Sequence, residues 1–270
     1  MDAPSIFSRK KVAYACATLC CLLWGSSYPA IKSGYELFQI ATDDVPSKIV
    51  FAGYRFLFAG LLLLLMALAT RRDGLKLTRK NLFEYTALGL TQTSLMYVFF
   101  YVGLAYTTGM KSSIMNATGT FFSVLLAHFI YQNDRLSFNK LLGCLVGFAG
   151  VMVVNFNRSL LDFNFALLGE GFVVIAAFIQ SAATIYGKKL SQKVDPVVLT
   201  GYQLAIGGAM LVVLGYATGG VLTGFTLKSS ALMLYMVLLS SVSFALWTIL
   251  LKYNRVGMVT VFNFLIPDRK

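Results

Sequence analysis

The chain has 270 residues, of which 57% are hydrophobic and 13% charged, with a formal net charge of +12 and a mean hydropathy of +0.72. Soluble domains carry about 25% charged residues, so this composition excludes a water-solvated globule and puts lipid around most of the outside. The basic excess sits in short gaps between apolar runs, which is the pattern of membrane topology and anionic headgroups and not of a nucleic-acid-binding surface.

Arg9-Lys10-Lys11 precede an apolar run over 12–31. The run imitates a signal peptide, but it is long enough to span and no small-residue cleavage site fits its end, so it reads as an uncleaved first helix. Further runs follow at 49–69, 82–105, 112–131, 138–156, 165–187, 197–217 and 231–251, and a ninth begins near 257. Most approach the ~20 residues that cross ~30 Å of hydrocarbon. They are continuous, not alternating, which excludes a closed β-barrel and leaves helices as the way to satisfy the backbone in lipid. The fifth run is short and glycine-rich, which predicts close packing against its neighbours. Cys16, Cys20, Cys21 and Cys144 all fall inside apolar runs. Cys16 and Cys20 share a helical face, but no His or acid joins them, so they read as small hydrophobes and not as metal ligands.

Orientation follows from Lys and Arg in the gaps. Fifteen fall on one side: Arg9, Lys10, Lys11, Arg71, Arg72, Lys76, Arg79, Lys80, Arg135, Lys140, Lys188, Lys189, Lys193, Lys252 and Arg255. Five fall on the other: Lys32, Lys48, Lys111, Arg158 and Lys228. The asymmetry predicts a cytoplasmic N-terminus.

The chain also writes one segment twice. Gly53-Tyr54-Arg55 to Gly60 and Thr70 return as Gly201-Tyr202-Gln203 to Gly208 and Thr218, each 148 positions on. Five spans per copy is an odd number, so the second copy enters the membrane from the opposite face. This is the inverted-repeat construction of many secondary transporters, whose substrate site lies near the midplane between the halves. The division expected is a first repeat over 1–160 with helices one to five and a second over 161–270 with helices six to nine. The same step lays Gly109-Met110 on Gly257-Met258 and Gly119 on Pro267. The expectation is a ninth helix that stops half-way, with roughly 35 residues of a ten-helix plan missing.

Three stretches carry a family resemblance. They are Leu22-Leu23-Trp24-Gly25-Ser26-Ser27-Tyr28-Pro29-Ala30-Ile31, then Tyr54-Arg55-Phe56, then Gly103-Leu104-Ala105-Tyr106-Thr107 through Asn133-Asp134-Arg135-Leu136 to Gly143 and Gly147-Phe148-Ala149-Gly150-Val151. Their order and spacing resemble the EamA type of the drug/metabolite transporter superfamily over essentially the whole chain. The resemblance implies an all-α integral membrane fold of two inverted five-helix units, about nine of whose helices are present here. It also implies a bacterial inner-membrane location and a central cavity lined mainly by helices 1, 3, 4, 6, 8 and 9. Two departures stand out: Gly119-Thr120 replaces the family's helix-four proline, which Pro267 keeps in helix nine, and Asp134 replaces a glutamate.

An ionisable residue inside a span is a functional candidate by default. Arg55 lies six positions after Ile49, about 9 Å into the helix, where its fork suits a carboxylate; the alternatives are snorkelling or pairing with Asp44 or Glu170. Helix three offers Gln92 together with Thr93, Tyr97 and Tyr101, the last three on one i, i+4, i+8 stripe. Helix four offers Asn116 and Thr120; helix six, Gln180 and Thr184; helix eight, Ser243 and Trp247; helix nine, Asn263. Interhelical hydrogen bonding explains any one of these, but polar groups from five helices together suggest a cavity. Trp24 is too deep to be an interfacial anchor, and Gly25 with Pro29 lets helix one bend. Lys32, Lys48 and Lys111 read as solvated loop charges, and His128 as a satisfied packing histidine. Glu84 and Glu170 sit near helix starts, where the dipole stabilises them. Asn157-Arg158-Ser159 is formally a glycosylation sequon.

No phosphate loop, metal cluster or Ser-His-Asp set is present in the sequence, so neither a cofactor nor a metal is expected and the chain does not read as an enzyme. Helix one lacks an acid, which disfavours proton-coupled export of cations by the route that small multidrug exporters use. The expected function is secondary export of a small polar metabolite by alternating access, with the alternative of a non-transporting membrane protein: a truncated remnant or an assembly partner. The expected partners are a small-molecule substrate and the lipid bilayer, with no nucleic acid; a homodimer is compatible with the chain.

Overall fold

The computed structural model describes residues 6–72, 74–156 and 166–266. The sequon at 157–159, Arg158, Pro267 and the junction between the expected repeats lie outside them. Among the described residues the fold is all helical, with nine helices and no strand. These are α1 (Lys10–Leu37), α2 (Val45–Ala69), α3 (Arg79–Ala105), α4 (Gly109–Ile130), α5 (Phe138–Val154), α6 (Leu167–Ser191), α7 (Pro196–Ala217), α8 (Leu227–Tyr253) and α9 (Val256–Leu265). Six of them (α2, α3, α4, α6, α7 and α8) are long and apolar enough to cross a membrane. The 28-residue α1 is long enough but is diluted by its Trp24-Gly25-Ser26-Ser27-Tyr28-Pro29 stretch. Pro29 lies inside α1 without ending it.

The repeated sequence makes repeated local structure. Thr78 caps α3 by accepting from Asn81 N at 3.2 Å, and Thr226, 148 positions later, caps α8 by accepting from Ser229 N at 3.2 Å. Thr70 and Thr218 close α2 and α7 by donating to the carbonyls of Met66 and Leu214, one turn back. Both α2 and α7 begin with a proline in the first turn, after Asp44 and Asp195 respectively. A proline is tolerated there because the first amides of a helix have no intrahelical partner.

The two copies pack on each other, α2 against α7. A Cβ added at Gly53 would meet the backbone nitrogen of Val212 at 2.7 Å, and one at Gly60 would meet the Gly201 carbonyl oxygen at 2.6 Å. One at Gly215 would meet Val50 Cγ2 at 2.6 Å. Rising numbers on α2 thus meet falling numbers on α7, so the twin helices run antiparallel. Lipid tails are as apolar as leucine, so close backbone approach supplies much of the attraction at such a seam. The outer neighbours repeat the arrangement: Ser94 on α3 donates to Gly207 O at 2.9 Å, and Ser241 on α8 donates to Ala59 O at 3.1 Å. Ala59 and Gly207 are themselves 148 positions apart.

The connecting segments near Phe7, Arg72, Asp134, Asp195 and Asn254 meet at one end, here called the basic end. Arg72 pairs with Asp195 at 2.8 Å, Gln192 Nε2 donates to Lys252 O at 2.9 Å, and Asn254 Nδ2 donates to Phe7 O at 2.9 Å. Asp134, from the turn before α5, is buried. It pairs with Lys140 at 2.5 Å and accepts from Gly257 N at 3.1 Å, so it caps α9 from the other half of the chain.

The glycine-rich α5 departs from the sequence reading. Gly143 and Gly150 have nothing within 4 Å of an added Cβ, and only Gly147 is close to a neighbour, the ring of Phe264. Among its described residues only Cys144 is buried. The helix lies at the periphery, where Gly143 and Gly150 face open space.

Candidate functional site

Side chains from five helices line a small cavity of about 20 Å³ in the basic half of the bundle, enough room for about one water molecule. Trp24 comes from α1, Leu88 and Gln92 from α3, Gln180, Thr184 and Gly187 from α6, and Gln203 from α7. Phe244, Trp247, Thr248 and Leu251 come from α8. The helices reach this point because the α2–α7 seam sets α3 and α8 on either side of it, and α1 and α6 close the remaining walls. Cys20 of α1 docks on α8 by donating to Ser243 O at 3.6 Å. Ser181 of α6 docks on α4 by donating to Gly119 O at 2.8 Å.

The wall is aromatic and amide-rich. Trp24 meets Trp247 edge to face with ring centroids 4.9 Å apart, and Phe244 at 5.6 Å. Among the described residues, four buried side-chain nitrogen or oxygen atoms lack a hydrogen-bond partner, and two of them, Trp24 Nε1 and Gln180 Oε1, belong to this cavity. Buried polar atoms are seldom left so. Among the described residues no ionisable side chain lines the cavity.

Arg55 lies beyond an aromatic partition. Phe56 meets Phe244 edge to face at 5.9 Å, and the Arg55 guanidinium sits 5.1 Å from the centre of the Phe56 ring. Arg55 is 4% exposed, and its Nε donates to Ser240 Oγ at 2.6 Å. Tyr97 meets the Phe56 ring with centroids 4.7 Å apart, and Tyr101 lies 5.9 Å from Tyr97. Tyr35 in turn donates to Tyr101 at 3.4 Å. Neither snorkelling nor pairing with Asp44 or Glu170 occurs. Asp44 accepts from Ser47 N at 2.9 Å, while Glu170 takes Lys111 at 3.3 Å and Thr107 at 2.8 Å. The last turns of α1 and α3 bring these tyrosines to the half of the bundle away from the basic end.

The other sequence candidates divide. Trp24, Gln92, Gln180, Thr184 and Trp247 are on the cavity wall. Thr93 is not: it is buried against α7, where Gln203 Nε2 donates to its hydroxyl at 3.5 Å and its Cβ abuts Gly207. The expected Thr93, Tyr97, Tyr101 stripe is broken because Gly89–Leu95 is a π-helical segment. The additional residue in that turn rotates the rest of α3 by about one residue's 100°. Thr120 is buried and donates to Thr260 O of α9 at 3.5 Å, whereas Asn116 is exposed. Ser243 is buried in the α1–α8 contact, and Asn263 is half-buried on the last turn of α9. Among the described residues the wall therefore contains α7 and no residue of α4 or α9, unlike the arrangement the resemblance implies. Gln203, Thr248 and Phe244 are additional wall residues. A neutral amide in the middle of an otherwise apolar run was the available signal for Gln203.

His128, Cys21 and Lys48 have structural partners. His128 Nδ1 accepts from Leu136 N at 3.1 Å, Cys21 donates to Phe262 O at 3.0 Å, and Lys48 donates to Thr42 O. Among the described residues no group of His, Cys, Asp or Glu could hold a metal ion.

The model of the EamA-like transporter family matches residues 11–156 and again 167–267. The chain is 28% identical to an uncharacterized transporter of Archaeoglobus fulgidus over 91% of its own length and 82% of the relative's. It is 29% identical to an uncharacterized transporter of Acidianus ambivalens over 80% and 79%. It is 26% identical to the uncharacterized transporter YoaV of Bacillus subtilis, over 72% of this chain and 63% of that one. A solved crystal structure, 18% identical, superposes with a TM-score of 0.75 over 93% of this chain and 83% of its own.

Proposed function

We propose, from the premise that this chain belongs to the EamA-like transporter family, that it exports a small polar metabolite by secondary transport across the bacterial inner membrane. The observation that carries the reading is the interior cavity, whose wall places unpartnered polar atoms among aromatic rings deep within a bundle of membrane-crossing helices. Polar groups in a bilayer-embedded bundle mark substrate paths when they face a cavity. The proposed path starts in the cavity of the basic half, which the charge asymmetry puts on the cytoplasmic side. It continues past the Phe56–Phe244 partition to Arg55 and the three tyrosines. Alternating access is a rocking of the 1–160 half against the 161–270 half about the α2–α7 seam.

The test uses the purified chain in liposomes loaded with an isotope-labelled extract of bacterial metabolites. Mass spectrometry identifies the compounds that leave. The expected result is loss of a small set of polar metabolites from protein-containing vesicles and retention in protein-free ones. Equal retention in both would favour a non-transporting membrane protein.

A further inference from the structure

Among the described residues two carboxylates are buried, Asp134 and Glu170, at 1% and 4% exposure. They lie at opposite ends of α4. Glu170 accepts from Thr107 Oγ1 at 2.8 Å and pairs with Lys111 at 3.3 Å, where that helix begins. Asp134 follows the other end, just beyond Ile130. A helix of 22 residues is about 33 Å long, so the two carboxylates flank opposite faces of the hydrocarbon. Each also joins the 1–160 half to the 161–270 half. Glu170 opens α6 and reaches back to the start of α4. Asp134 accepts from Gly257 N of α9 at 3.1 Å. α9 is in turn held against the first half, for Cys21 of α1 donates to Phe262 O at 3.0 Å and Thr120 of α4 donates to Thr260 O at 3.5 Å. Arg72 and Asp195 also join the halves, but their side chains are 42% and 21% exposed, and surface pairs contribute little.

A carboxylate suits a contact that has to open and close. Paired in a dry interface, it makes charge-assisted hydrogen bonds that are short and strong. Parted, it is hydrated, so separation exchanges protein hydrogen bonds for water. Both contacts are made in this structure, and the interior cavity has room for about one water molecule, which is the condition of a path closed at both ends. We propose that Asp134 and Glu170 are the two latches of the transport cycle. Release of Asp134 from α9 opens the basic end, and release of Glu170 from Thr107 and Lys111 opens the opposite end. Both are positioning residues, acting through the helices they join. The proposal rests on the transport reading for the rocking of the halves that the latches control.

The native thiol of Cys21 is 1% exposed and bonded to α9, so it reports opening of the basic end. Ser112, 2% exposed and next to Lys111 in the chain, reports the opposite end as Ser112→Cys. Each thiol is kept alone in the full chain, with the other cysteines changed to alanine, and its labelling by N-ethylmaleimide in detergent is timed. Asp134→Asn is expected to speed labelling at Cys21 about ten-fold, the scale of one charge-assisted hydrogen bond, and to leave the Ser112→Cys thiol at its former rate. Glu170→Gln is expected to do the reverse. If either variant fails to fold, Lys140→Gln replaces the first and Lys111→Gln the second, with the same expected directions, because each removes the counter-charge from one latch. A general loss of packing would speed both thiols in every variant and would overturn the proposal. Labelling that no variant changes would overturn it as well. The liposome experiment separates the two readings. One-sided labelling without metabolite efflux would sink the transport reading alone, and efflux with equal acceleration at both thiols would sink the latch proposal alone.

Discussion

α2 and α7 share a pair of glycines at one spacing, Gly53 and Gly60 in α2 and Gly201 and Gly208 in α7, and end on the same threonine, yet at one equivalent position α2 has Arg55 and α7 has Gln203. The two side chains have gone to different surroundings. Gln203 is on the cavity wall, with α3 as its neighbour through Thr93. Arg55 is behind Phe56, bonded to Ser240 of α8. α3 and α8 are themselves equivalent in the repeat, so the scaffold offers each twin the same kind of partner. Both are buried, Gln203 2% and Arg55 4% exposed; what differs is the partners, the neutral amide facing the Thr93 hydroxyl and the permanent charge facing the Ser240 hydroxyl and the Phe56 ring. A buried cation is stable only with such partners.

The comparison is broken most forcefully by Gln203→Arg. The change puts a second cation where Thr93 is the only side-chain hydrogen-bond partner of Gln203 described, and an uncompensated buried charge costs about 3–5 kcal/mol. Thermal unfolding in detergent should show a large loss of stability. Combining it with Arg55→Gln should not restore the loss, because Ser240 would still lie on the Arg55 side. A double exchange with unchanged stability would mean that the two sites are interchangeable after all.

Arg55→Gln alone makes the halves alike and is the milder change. It removes a charged hydrogen bond to Ser240, worth about 1.5–3 kcal/mol, and it takes the cation away from the Phe56 ring. The expected result is a lowered melting midpoint together with slowed efflux in the liposome assay. An unchanged midpoint with abolished efflux would instead assign Arg55 entirely to the transported solute.

The glycines sharpen the comparison at a second equivalent pair. A Cβ at Gly53 meets backbone, the Val212 nitrogen at 2.7 Å and the Gly208 oxygen at 3.0 Å. A Cβ at Gly201 meets a side chain first, Leu64 Cδ2 at 2.9 Å, with the Leu64 backbone nitrogen further off at 3.3 Å. Backbone cannot move aside without shifting a helix, and a leucine can change rotamer. Overpacking costs about 1–3 kcal/mol, so Gly53→Ala should fall near the top of that range and Gly201→Ala near the bottom, where helix propensity returns up to about 1 kcal/mol. Denaturant or thermal midpoints of the two single variants decide it, and equal losses would count against an asymmetric seam.

How far the sequence reveals these relations depends on the range of the interactions. The helix positions are legible because lipid demands long apolar runs, and the described ends differ from the expected ones by only a few residues at most termini. The α2–α7 seam is legible because close backbone approach selects glycine, and the repeat writes those glycines twice. Three things are hidden. The π segment at Gly89–Leu95 leaves no periodic trace, so it separates Thr93 from Tyr97 and Tyr101 without warning. The cap that Asp134 places on α9 joins residues 123 positions apart, and a turn acid looks the same whether it is solvated or buried. The openness around α5 is also invisible, since glycine spacing says that a helix can be approached closely but not that a neighbour is there.

The finest comparison concerns two serines. Ser94 donates from α3 to Gly207 O and Ser241 donates from α8 to Ala59 O, so each ties an outer helix to one of the twins at equivalent carbonyls. The lengths, 2.9 Å and 3.1 Å, are those of ordinary hydrogen bonds. Ser241 also donates to Val237 O at 2.8 Å within its own helix, so its hydroxyl proton is shared between two acceptors. Interhelical bonds in membrane proteins average about 0.6 kcal/mol, and sharing reduces what the inter-helix branch can contribute. Ser94→Ala should therefore cost about 0.6 kcal/mol and Ser241→Ala somewhat less, with the double variant close to their sum, as for well-separated sites. A non-additive result would show that the two flanks of the seam are energetically coupled.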